Sequence, residues 1–223
     1  MKRVFITGGN GDIGSSIVEI FKINGYEVVS PNSKELDLRD SKLIKEYFNH
    51  NNNNFDIFIH CAGINNPSII EDLDFNNIKE TMQINTFSFY EILKTLIPYQ
   101  KINGGYILAI SSLYVQISRA GRTAYAMSKH ALIGLIKMAA IELGKYNIKV
   151  NALSPGFVDT NLTRKNNNDE KIKIINESIP LGGIAKPTDI ANVAYFLCSE
   201  KNTYITGQDI TVDGGFICGG FQK

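Results

Sequence analysis

Three side chains in the middle of the chain have the types and spacing of a proton-transfer site: Ser112, Tyr125 and Lys129. Tyr125 and Lys129 are four residues apart, so within a helix they lie on the same face. An ammonium group about 4 Å from a phenolic oxygen favours the phenolate by about 4 kcal/mol at an effective dielectric of about 20. We therefore expect Lys129 to lower the pKa of Tyr125 from about 10 towards neutrality, where the phenol can exchange a proton with a substrate.

Ser112 follows an apolar run, residues 106–110, that predicts a buried strand. At the end of that strand its hydroxyl can hydrogen-bond a substrate oxygen. A tyrosine and a lysine at this spacing also occur on solvated helix surfaces, so the pair alone does not identify a site. The prediction depends on the pair occurring together with Ser112 and with a glycine-rich turn at the start of the chain.

That turn, residues 7–14, follows the first predicted strand and opens the first predicted helix. Its glycines have the G-x-G-x-x-G spacing of a dinucleotide site. Glycines permit a tight turn and close approach of the backbone, and the free N–H groups of the helix attract a pyrophosphate. A glycine turn without a ligand is the alternative. The cofactor-binding residues predicted here are Gly8, Asn10, Gly11, Asp12, Ile13 and Gly14.

Two further segments follow predicted strands. After the second strand come Asp37 and Leu38, where a carboxylate can accept a hydrogen bond from an adenine amino group. After the third come Cys61, Ala62 and Gly63, where small residues let the backbone pass close to a cofactor. An ordinary surface aspartate and a simple tight turn are the respective alternatives.

Short apolar runs alternate with longer amphipathic segments along the whole chain. Strands are predicted at 3–7, 27–30, 56–60, 106–111, 149–153 and 209–212, and helices at 13–24, 41–49, 75–96, 124–146 and 187–199. This alternation predicts an α/β fold: a single-domain, Rossmann-type, doubly wound parallel sheet flanked by helices. Ligands bind such sheets beyond the carboxyl ends of the strands, where all the motifs above fall.

Composition points to a protein that acts on small molecules. The chain has 223 residues, 43% of them hydrophobic, and 23 basic and 22 acidic side chains leave a net charge of +1. We therefore expect neither a nucleic-acid nor a membrane surface. Cys61, Cys198 and Cys218 have no metal-ligand spacing, so we expect buried, reduced thiols, a cytoplasmic location and no metal site. The first apolar run is too short for a signal peptide.

With these motifs the chain resembles the short-chain dehydrogenase/reductase family over essentially its whole length. The resemblance implies a catalytic tetrad of Asn85, Ser112, Tyr125 and Lys129, and hydride transfer between a nicotinamide and a carbonyl or secondary alcohol. In that scheme Tyr125 is the acid/base and Ser112 orients the substrate oxygen. Lys129 also holds the nicotinamide ribose, and Asn85 supports a water that carries protons away from Lys129.

The same resemblance assigns the nicotinamide side of the site. Segment 150–160 is similar to the family's strand and loop there, with Pro155, Gly156, Val158 and Thr160 as cofactor-binding residues. It also implies that residues 160–186 form a mobile substrate lid. The substrate stays open between a 3-oxoacyl thioester and a sugar or polyol. A dinucleotide-binding regulator without catalysis, or a scaffold without cofactor, is the alternative class of function.

Two positions depart from the family pattern. Asp12 occupies a glycine position, and an aspartate beside a pyrophosphate is unfavourable unless its side chain turns away to cap the helix. His60 and Cys61 replace two asparagines, which alters the hydrogen bonds at that turn. We expect His60 to be a structural histidine without a catalytic role.

The cofactor is expected to be NADP or NAD. Asn32 stands where an acidic residue would hydrogen-bond the ribose 2′-hydroxyl of NAD, and it is followed by Ser33 and Lys34. The missing acid and the nearby cation favour NADP. Gly11 lies where phosphate-preferring relatives often carry arginine, which argues against NADP and leaves both cofactors open.

We also expect a homotetramer or homodimer. The predicted helices 75–96 and 124–146 are apolar on more than one face, as Ile133, Leu135, Ile136, Met138 and Ile141 illustrate. The apolar segment 216–221 is a second candidate for contact with a partner subunit, and packing within the chain is its alternative.

Overall fold

A computed structural model describes residues 1–219, with the side chain of Asn166 left aside. In this part of the chain all strands are parallel and belong to one sheet, in the order β2-β1-β3-β4-β5-β6. The strands are β1 (Arg3–Thr7), β2 (Glu27–Val29), β3 (Ile57–His60), β4 (Gly105–Ile110), β5 (Ile148–Pro155) and β6 (Asp209–Val212).

The helices that connect the strands agree closely with the predicted ones. They are α1 (Asp12–Ile23), α2 (Ser41–His50), α3 (Phe75–Met82), α4 (Ser88–Asn103), α5 (Thr123–Leu143), α6 (Asn161–Asn166), α7 (Asp169–Ser178) and α8 (Pro187–Leu197). The predicted helix 75–96 is α3 and α4 joined by a π-helical turn, Gln83–Phe87. Helices α6 and α7, which the sequence analysis did not predict, occupy the predicted lid.

Both faces of the sheet are buried, which is why its strands are continuous apolar runs. Phe5 and Phe58 face α2, α4 and α5, and Phe58 stacks on Phe89 with ring centroids 5.4 Å apart. Their neighbours in the strands, Ile6 and Ile59, face α1 and α8 on the other side. Successive side chains of a strand point to opposite faces, so each strand contributes to two cores.

The strand order reverses between β1 and β3, because β2 lies on one side of β1 and β3 on the other. Such a switch point opens a crevice at the carboxyl ends of the two strands. The predicted α/β class and the doubly wound, Rossmann-type sheet are confirmed. Within residues 1–219, no helix is both long and apolar enough to span a membrane.

Two expectations about exposure need adjustment. Cys198 is buried and Cys61 half-buried, but Cys218 is exposed, so the prediction of burial is wrong for Cys218. Ile136 belongs to the core, whereas Met138 and Ile141 are exposed. Of the segment 216–221, the last two residues lie outside the described part of the chain.

Candidate active site

One cavity at the carboxyl edge of the sheet lies at the switch point between β1 and β3. Its volume is about 550 Å³, and its walls come from the ends of these strands and from the loop after β2. The predicted cofactor-binding residues that line it are Gly8, Asn10, Gly11, Asn32, Ser33, Asp37, Leu38, Cys61, Ala62 and Gly63. The structure therefore brings three separate segments of the chain together around one cavity.

Two glycines shape this region because side chains on them would collide with backbone. Gly8 has a φ of +71°, in the left-handed region, and a Cβ atom on it would lie 2.6 Å from the nitrogen of Ala62. A Cβ atom on Gly14 would lie 2.1 Å from the carbonyl oxygen of Gly8. The first turn of α1 thus packs directly on the glycine-rich turn and leaves a cradle of bare backbone, which suits a pyrophosphate.

Asp12 lines neither this cavity nor the second one described below. Its carboxylate accepts hydrogen bonds from the backbone N–H of Asn161 at 2.8 Å and from the Asn161 side-chain amide at 3.0 Å. Asn161 is the first residue of α6, whose N–H groups have no partner within that helix. Gly11, the N-cap of α1, provides no side-chain cap. Asp12 therefore turns away as expected, but it caps α6 and not its own helix.

The charged groups near the loop after β2 differ from those predicted. Asn32 uses its side-chain oxygen within its own loop, accepting hydrogen bonds from the N–H groups of Lys34 at 2.8 Å and Glu35 at 3.3 Å. Lys34 does not line the cavity, whereas Arg39 does. The Arg39 guanidinium pairs with Asp37, 2.6 Å from Nη2 to Oδ2, and its hydrogen bonds lower the pKa of that carboxyl. The cation at this end of the cavity is Arg39, so the expectation of Lys34 is wrong.

A second cavity, of about 140 Å³, lies at the carboxyl ends of β4 and β5, beside α6. The predicted site residues that line it are Ile13, Ser112, Tyr125, Pro155, Gly156, Val158 and Thr160. The loop after β5 is held tightly, because a Cβ atom on Gly156 would lie 2.6 Å from the Cβ of Asp213. The two predicted hydroxyl groups and the predicted nicotinamide-side residues thus share one small space.

Ser112 and Tyr125 both line this second cavity. Ser112 stands just after β4 and caps the 3₁₀ turn that follows. Burial raises the pKa of Tyr125 to about 12, although a hydrogen bond with Ser112 and the charge of Arg122 both act to lower it. The prediction that Lys129 brings this pKa towards neutrality is therefore wrong for the protein alone. Desolvation of the phenolate outweighs the positive charges around it.

Lys129 lines neither of the two cavities. Its side chain is buried, its ammonium donates a hydrogen bond to the carbonyl oxygen of Ile110 at 2.7 Å, and Nζ lies 5.6 Å from the centre of the Tyr125 ring. Burial lowers the pKa of Lys129 to about 8. A Cβ atom on Gly63 would lie 3.6 Å from this Nζ. Gly63 therefore keeps the backbone of the first cavity close to the ammonium.

Asn85 sits in the π-helical turn between α3 and α4, and its side chain is fully buried. Its Oδ1 accepts a hydrogen bond from the N–H of Ile64 at 2.9 Å. Its Nδ2 donates to the carbonyl oxygen of Ile64 and to Oγ of Ser128, both at 3.0 Å. Asn85 thus ties the loop after β3 to α5, one residue from Lys129. Turns of the π type occur often at functional sites.

His60 is fully buried, and burial lowers its pKa to about 3, so the ring is neutral. Its Nδ1 lies 2.9 Å from the hydroxyl of Thr7 and its Nε2 lies 3.1 Å from the carbonyl oxygen of Ile84. The Thr7 hydroxyl also accepts a hydrogen bond from the N–H of Ala62 at 3.3 Å. His60 therefore stabilises the wall of the first cavity, which is the role expected of a structural histidine. Burial raises the pKa of Cys61 to about 12, so that residue is a neutral thiol.

Comparisons with known proteins agree with this geometry. The family model described as enoyl-(acyl carrier protein) reductase matches residues 26–217. The 3-oxoacyl-(acyl-carrier-protein) reductase FabG of Chlamydia pneumoniae is 31% identical over 239 residues, covering 96% of each chain. FabG of Aquifex aeolicus is 33% identical over 216 residues, covering 95% of this chain and 86% of that protein.

Solved structures give the same result. The structure of 4-hydroxyisoleucine dehydrogenase complexed with NADH superposes with a TM-score of 0.92 at 29% identity, covering 98% of this chain and all of that one. A short-chain dehydrogenase family protein of Francisella tularensis superposes with a TM-score of 0.90 at 30% identity, covering 98% and 99% of the two chains. The chain belongs to the short-chain dehydrogenase/reductase family.

As a short-chain dehydrogenase/reductase, the protein is an NAD(P)-dependent oxidoreductase that interconverts a carbonyl compound and an alcohol. This confirms the resemblance, the type of cofactor and the type of reaction. The alternatives of a regulator without catalysis and of a scaffold without cofactor are therefore set aside.

Sequence reasoning missed several residues of this short-chain dehydrogenase/reductase site. Arg119, Arg122 and Asn65 line the second cavity, and Arg39 lines the first. Arg122 carried only a weak signal, because it precedes Tyr125 by three residues but, as the N-cap of α5, stands outside the predicted helix 124–146. Asn65 carried none, because its position depends on the path of the loop after β3.

Proposed function

We propose that Ser112, Tyr125 and Lys129 catalyse the interconversion, with Asn85 as the residue that positions them. The observation that carries this proposal is that Ser112 and Tyr125 line one small cavity, while the buried Lys129 ammonium lies 5.6 Å from the centre of the Tyr125 ring. A carbonyl oxygen bound there meets two hydroxyl donors at once. Hydroxyl donors that converge on one oxygen stabilise the negative charge that develops on it.

The residues present fit a dinucleotide. Gly8 and Gly14 pack so closely on neighbouring backbone that no Cβ atom fits, which brings bare backbone to the N-terminus of α1 beside the first cavity. NAD(P) bound there supplies a hydride donor or acceptor. The proposed binding residues are Gly8, Asn10, Gly11, Ile13, Gly14, Asn32, Ser33, Asp37, Leu38, Cys61, Ala62, Gly63, Tyr125, Lys129, Pro155, Gly156, Val158 and Thr160. Asp12 is not included among the proposed binding residues, because its carboxylate accepts hydrogen bonds from Asn161.

The proposed proton transfer follows from the raised pKa of Tyr125 and the lowered pKa of Lys129. With its pKa raised to about 12, Tyr125 is protonated at neutral pH and can give its proton to the substrate oxygen during reduction. Ser112 donates a hydrogen bond to the same oxygen. Lys129, with its pKa lowered to about 8, carries its charge at neutral pH and stabilises the phenolate left behind. The role of Asn85 in a water relay stays a prediction, because both Nδ2 hydrogens are used within the protein.

The cofactor preference is proposed to be NADP. Asn32 supplies no acid for a ribose 2′-hydroxyl, and Arg39 lines that end of the cavity, where it can meet a phosphate. Glu80 lines the cavity near Arg39 and opposes this preference. NAD therefore remains the competing cofactor.

Two finer substrate classes are compatible with the family. The FabG relatives are named for 3-oxoacyl groups on acyl carrier protein, which makes a 3-oxoacyl thioester one candidate. A groove of about 590 Å³ adjoins the second cavity, and its lining includes apolar residues such as Ile117, Ile174 and Ile175 beside polar and charged ones, so it offers room for an acyl chain. A sugar or polyol is the other candidate.

We further propose that residues 1–223 form one NAD(P)-binding domain whose segment 160–186 is a mobile lid. Helices α6 and α7 lie in that segment, and α6 borders the second cavity. We also propose a cytoplasmic location, a homotetramer or homodimer, and no nucleic-acid partner. The free cysteines support the cytoplasmic location, and the exposed Met138 and Ile141 support the homo-oligomer.

The test is Tyr125→Phe, which removes the proton donor and keeps the ring. We expect turnover of a ketone panel to fall by at least about 100-fold, because general acid catalysis contributes this much or more. The variant should bind NADH and NADPH, followed by cofactor fluorescence, within about twofold of the wild type. In the wild type, KM should be lower for NADPH than for NADH. Tyr195→Phe, a half-buried residue of α8 that packs against the core, is the matched control and should keep full activity. A Tyr125→Phe variant with wild-type kcat would refute the proposal.

A further inference from the structure

The second cavity holds positive charge that nothing in the described protein neutralises. Arg119 and Arg122 are the charged side chains that line it, and all its other lining residues are neutral. Neither arginine takes part in an ion pair with an acidic side chain of the described chain. The cavity beside Ser112 and Tyr125 therefore carries two cations and no anion.

Arg122 is the more informative of the two because it is buried. Only 8% of its surface is exposed, and one guanidinium nitrogen, Nη1, donates to Oδ1 of Asn65 at 2.9 Å. None of its other nitrogens is among the fully buried polar atoms that lack a partner. Within the described residues the remaining guanidinium N–H groups make no hydrogen bond, and Arg122 lines the cavity that a substrate would enter.

A buried arginine without an anion is costly, since a charge taken out of water loses several kcal/mol of solvation unless it is paired. The neutral Asn65 offsets only part of this loss. A guanidinium presents N–H groups in a planar fork that matches a carboxylate. A carboxylate brought by the substrate would therefore complete the pairing that the protein lacks.

The place of Arg122 fixes where this carboxylate lies. Arg122 immediately precedes α5, three residues before Tyr125, and its charge acts on the Tyr125 phenol. Arg122, Ser112 and Tyr125 line one cavity of only about 140 Å³. A carboxylate on Arg122 and a carbonyl oxygen between Ser112 and Tyr125 would thus be separated by only a few carbon atoms of the substrate.

We propose that Arg122 binds the carboxylate of the substrate, and that the enzyme acts on a short oxo acid and the corresponding hydroxy acid. This inference rests on the proposed function of Ser112 and Tyr125 and narrows it. It differs from both finer candidates above, because neither a thioester nor a polyol brings an anion next to the reacting carbon. Binding of the anion makes Arg122 a determinant of specificity, and the chemical step remains that of Tyr125.

The kinetic test compares acids with their neutral esters. We expect 2-, 3- or 4-oxopentanoate to be reduced with a kcat/KM at least about 100-fold above that of its methyl ester, because an unpaired buried charge is heavily penalised. Arg122→Gln should remove most of this ratio by raising KM for the acid about 100-fold, with a much smaller effect on KM for the ester. Arg122→Lys should restore part of the preference, and Lys201→Gln, a distant exposed control, should keep all of it.

Several kinetic outcomes would overturn the inference and leave the proposed function standing. One is an ester, or an N-acetylcysteamine thioester of the same chain, that is reduced as well as the acid by the wild type. Another is an acid preference that survives in Arg122→Gln. If no ketone is reduced and Tyr125→Phe behaves like the wild type, the proposed function itself fails.

A binding measurement on the wild type covers the case in which Arg122→Gln does not fold or no turnover is found. With NADP present, calorimetry should detect pentanoate and show pentanamide binding at least about 30-fold more weakly. Equal binding of the two, or binding of neither, would overturn the inference. Tighter binding of propyl phosphate than of pentanoate would overturn the assignment of a carboxylate.

Discussion

At the scale of single residues, burial decides the protonation states of the site. Lys129 and Tyr125 both lie where water is excluded, and burial acts on each against its charged form. The lysine pKa therefore falls to about 8 and the tyrosine pKa rises to about 12. This arrangement supplies a protonated phenol for carbonyl reduction and a lysine that loses its charge at moderately alkaline pH.

This predicts a signature in stability for Lys129→Met. The folded protein releases the Lys129 proton near pH 8, whereas the unfolded chain holds it to about pH 10.5, so between these values the unfolded state binds more protons. The unfolding free energy of the wild type should therefore rise relative to that of Lys129→Met from about pH 8 to pH 10, by up to about 3 kcal/mol. Urea unfolding of both proteins across this range measures the difference.

Taking the difference between the two proteins removes the contribution of groups that Lys129 does not influence, such as Cys198, whose pKa burial raises. If the unfolding free energies of the wild type and of Lys129→Met change with pH in the same way, Lys129 keeps an ordinary pKa in the folded protein. Loss of turnover in Lys129→Met would not by itself distinguish the two cases.

At the scale of secondary structure, the hydrogen bonds from Asp12 join the glycine-rich turn to the start of α6. They link the cofactor side of the site to the proposed lid across 149 residues of sequence. A carboxylate at a helix N-terminus satisfies free N–H groups and favours the helix dipole, and each such cap contributes about 1 kcal/mol. Asp12 thus holds α6 beside the second cavity.

We predict that Asp12→Ala loosens α6 and α7. Amide hydrogen exchange in residues 161–178 should accelerate about fivefold, the factor that corresponds to about 1 kcal/mol. The strands of the sheet should exchange as in the wild type. Asp40→Ala, which removes the N-cap of α2, is the matched control and should leave residues 161–178 unaffected. Unchanged exchange in Asp12→Ala would show that other contacts hold α6.

At the scale of the whole molecule, apolar side chains remain exposed on α4 and α5. Tyr90 is 50% exposed on α4, and Met138 and Ile141 are 52% and 75% exposed on α5. The opposite sides of the same helices bury Ile92 and Ile136 in the core. An apolar surface on two adjacent helices is typical of a subunit interface, in agreement with the proposed homo-oligomer.

Ile141→Glu should therefore shift the protein towards a smaller assembly, because it places a charge in the apolar surface of α5. Light scattering after size-exclusion chromatography at about 10 μM should show a dimer or tetramer for the wild type and a smaller species for the variant. Ile23→Glu, on the exposed end of α1, is an equally exposed control and should keep the wild-type mass. A wild-type protein that is monomeric under these conditions would contradict the expectation.

The sequence by itself determined the parallel sheet and indicated the main residues of the proposed site, because both depend on local patterns. Apolar periodicity located the six strands, and the spacing of Tyr125 and Lys129 placed both on one helix face. The glycine-rich turn and the loop after β3 were likewise visible as strand endings. The carboxyl edge of a parallel sheet then brings these endings together whatever the details of packing.

Tertiary structure alone decided the electrostatics of the site. The rise in the pKa of Tyr125, the capping of α6 by Asp12 and the unpaired charge of Arg122 each depend on residues that are far apart in the chain or on the exclusion of water. Sequence spacing predicts which neighbours share a helix face. It does not predict desolvation or the partners of a polar side chain, because these are set by how distant segments pack.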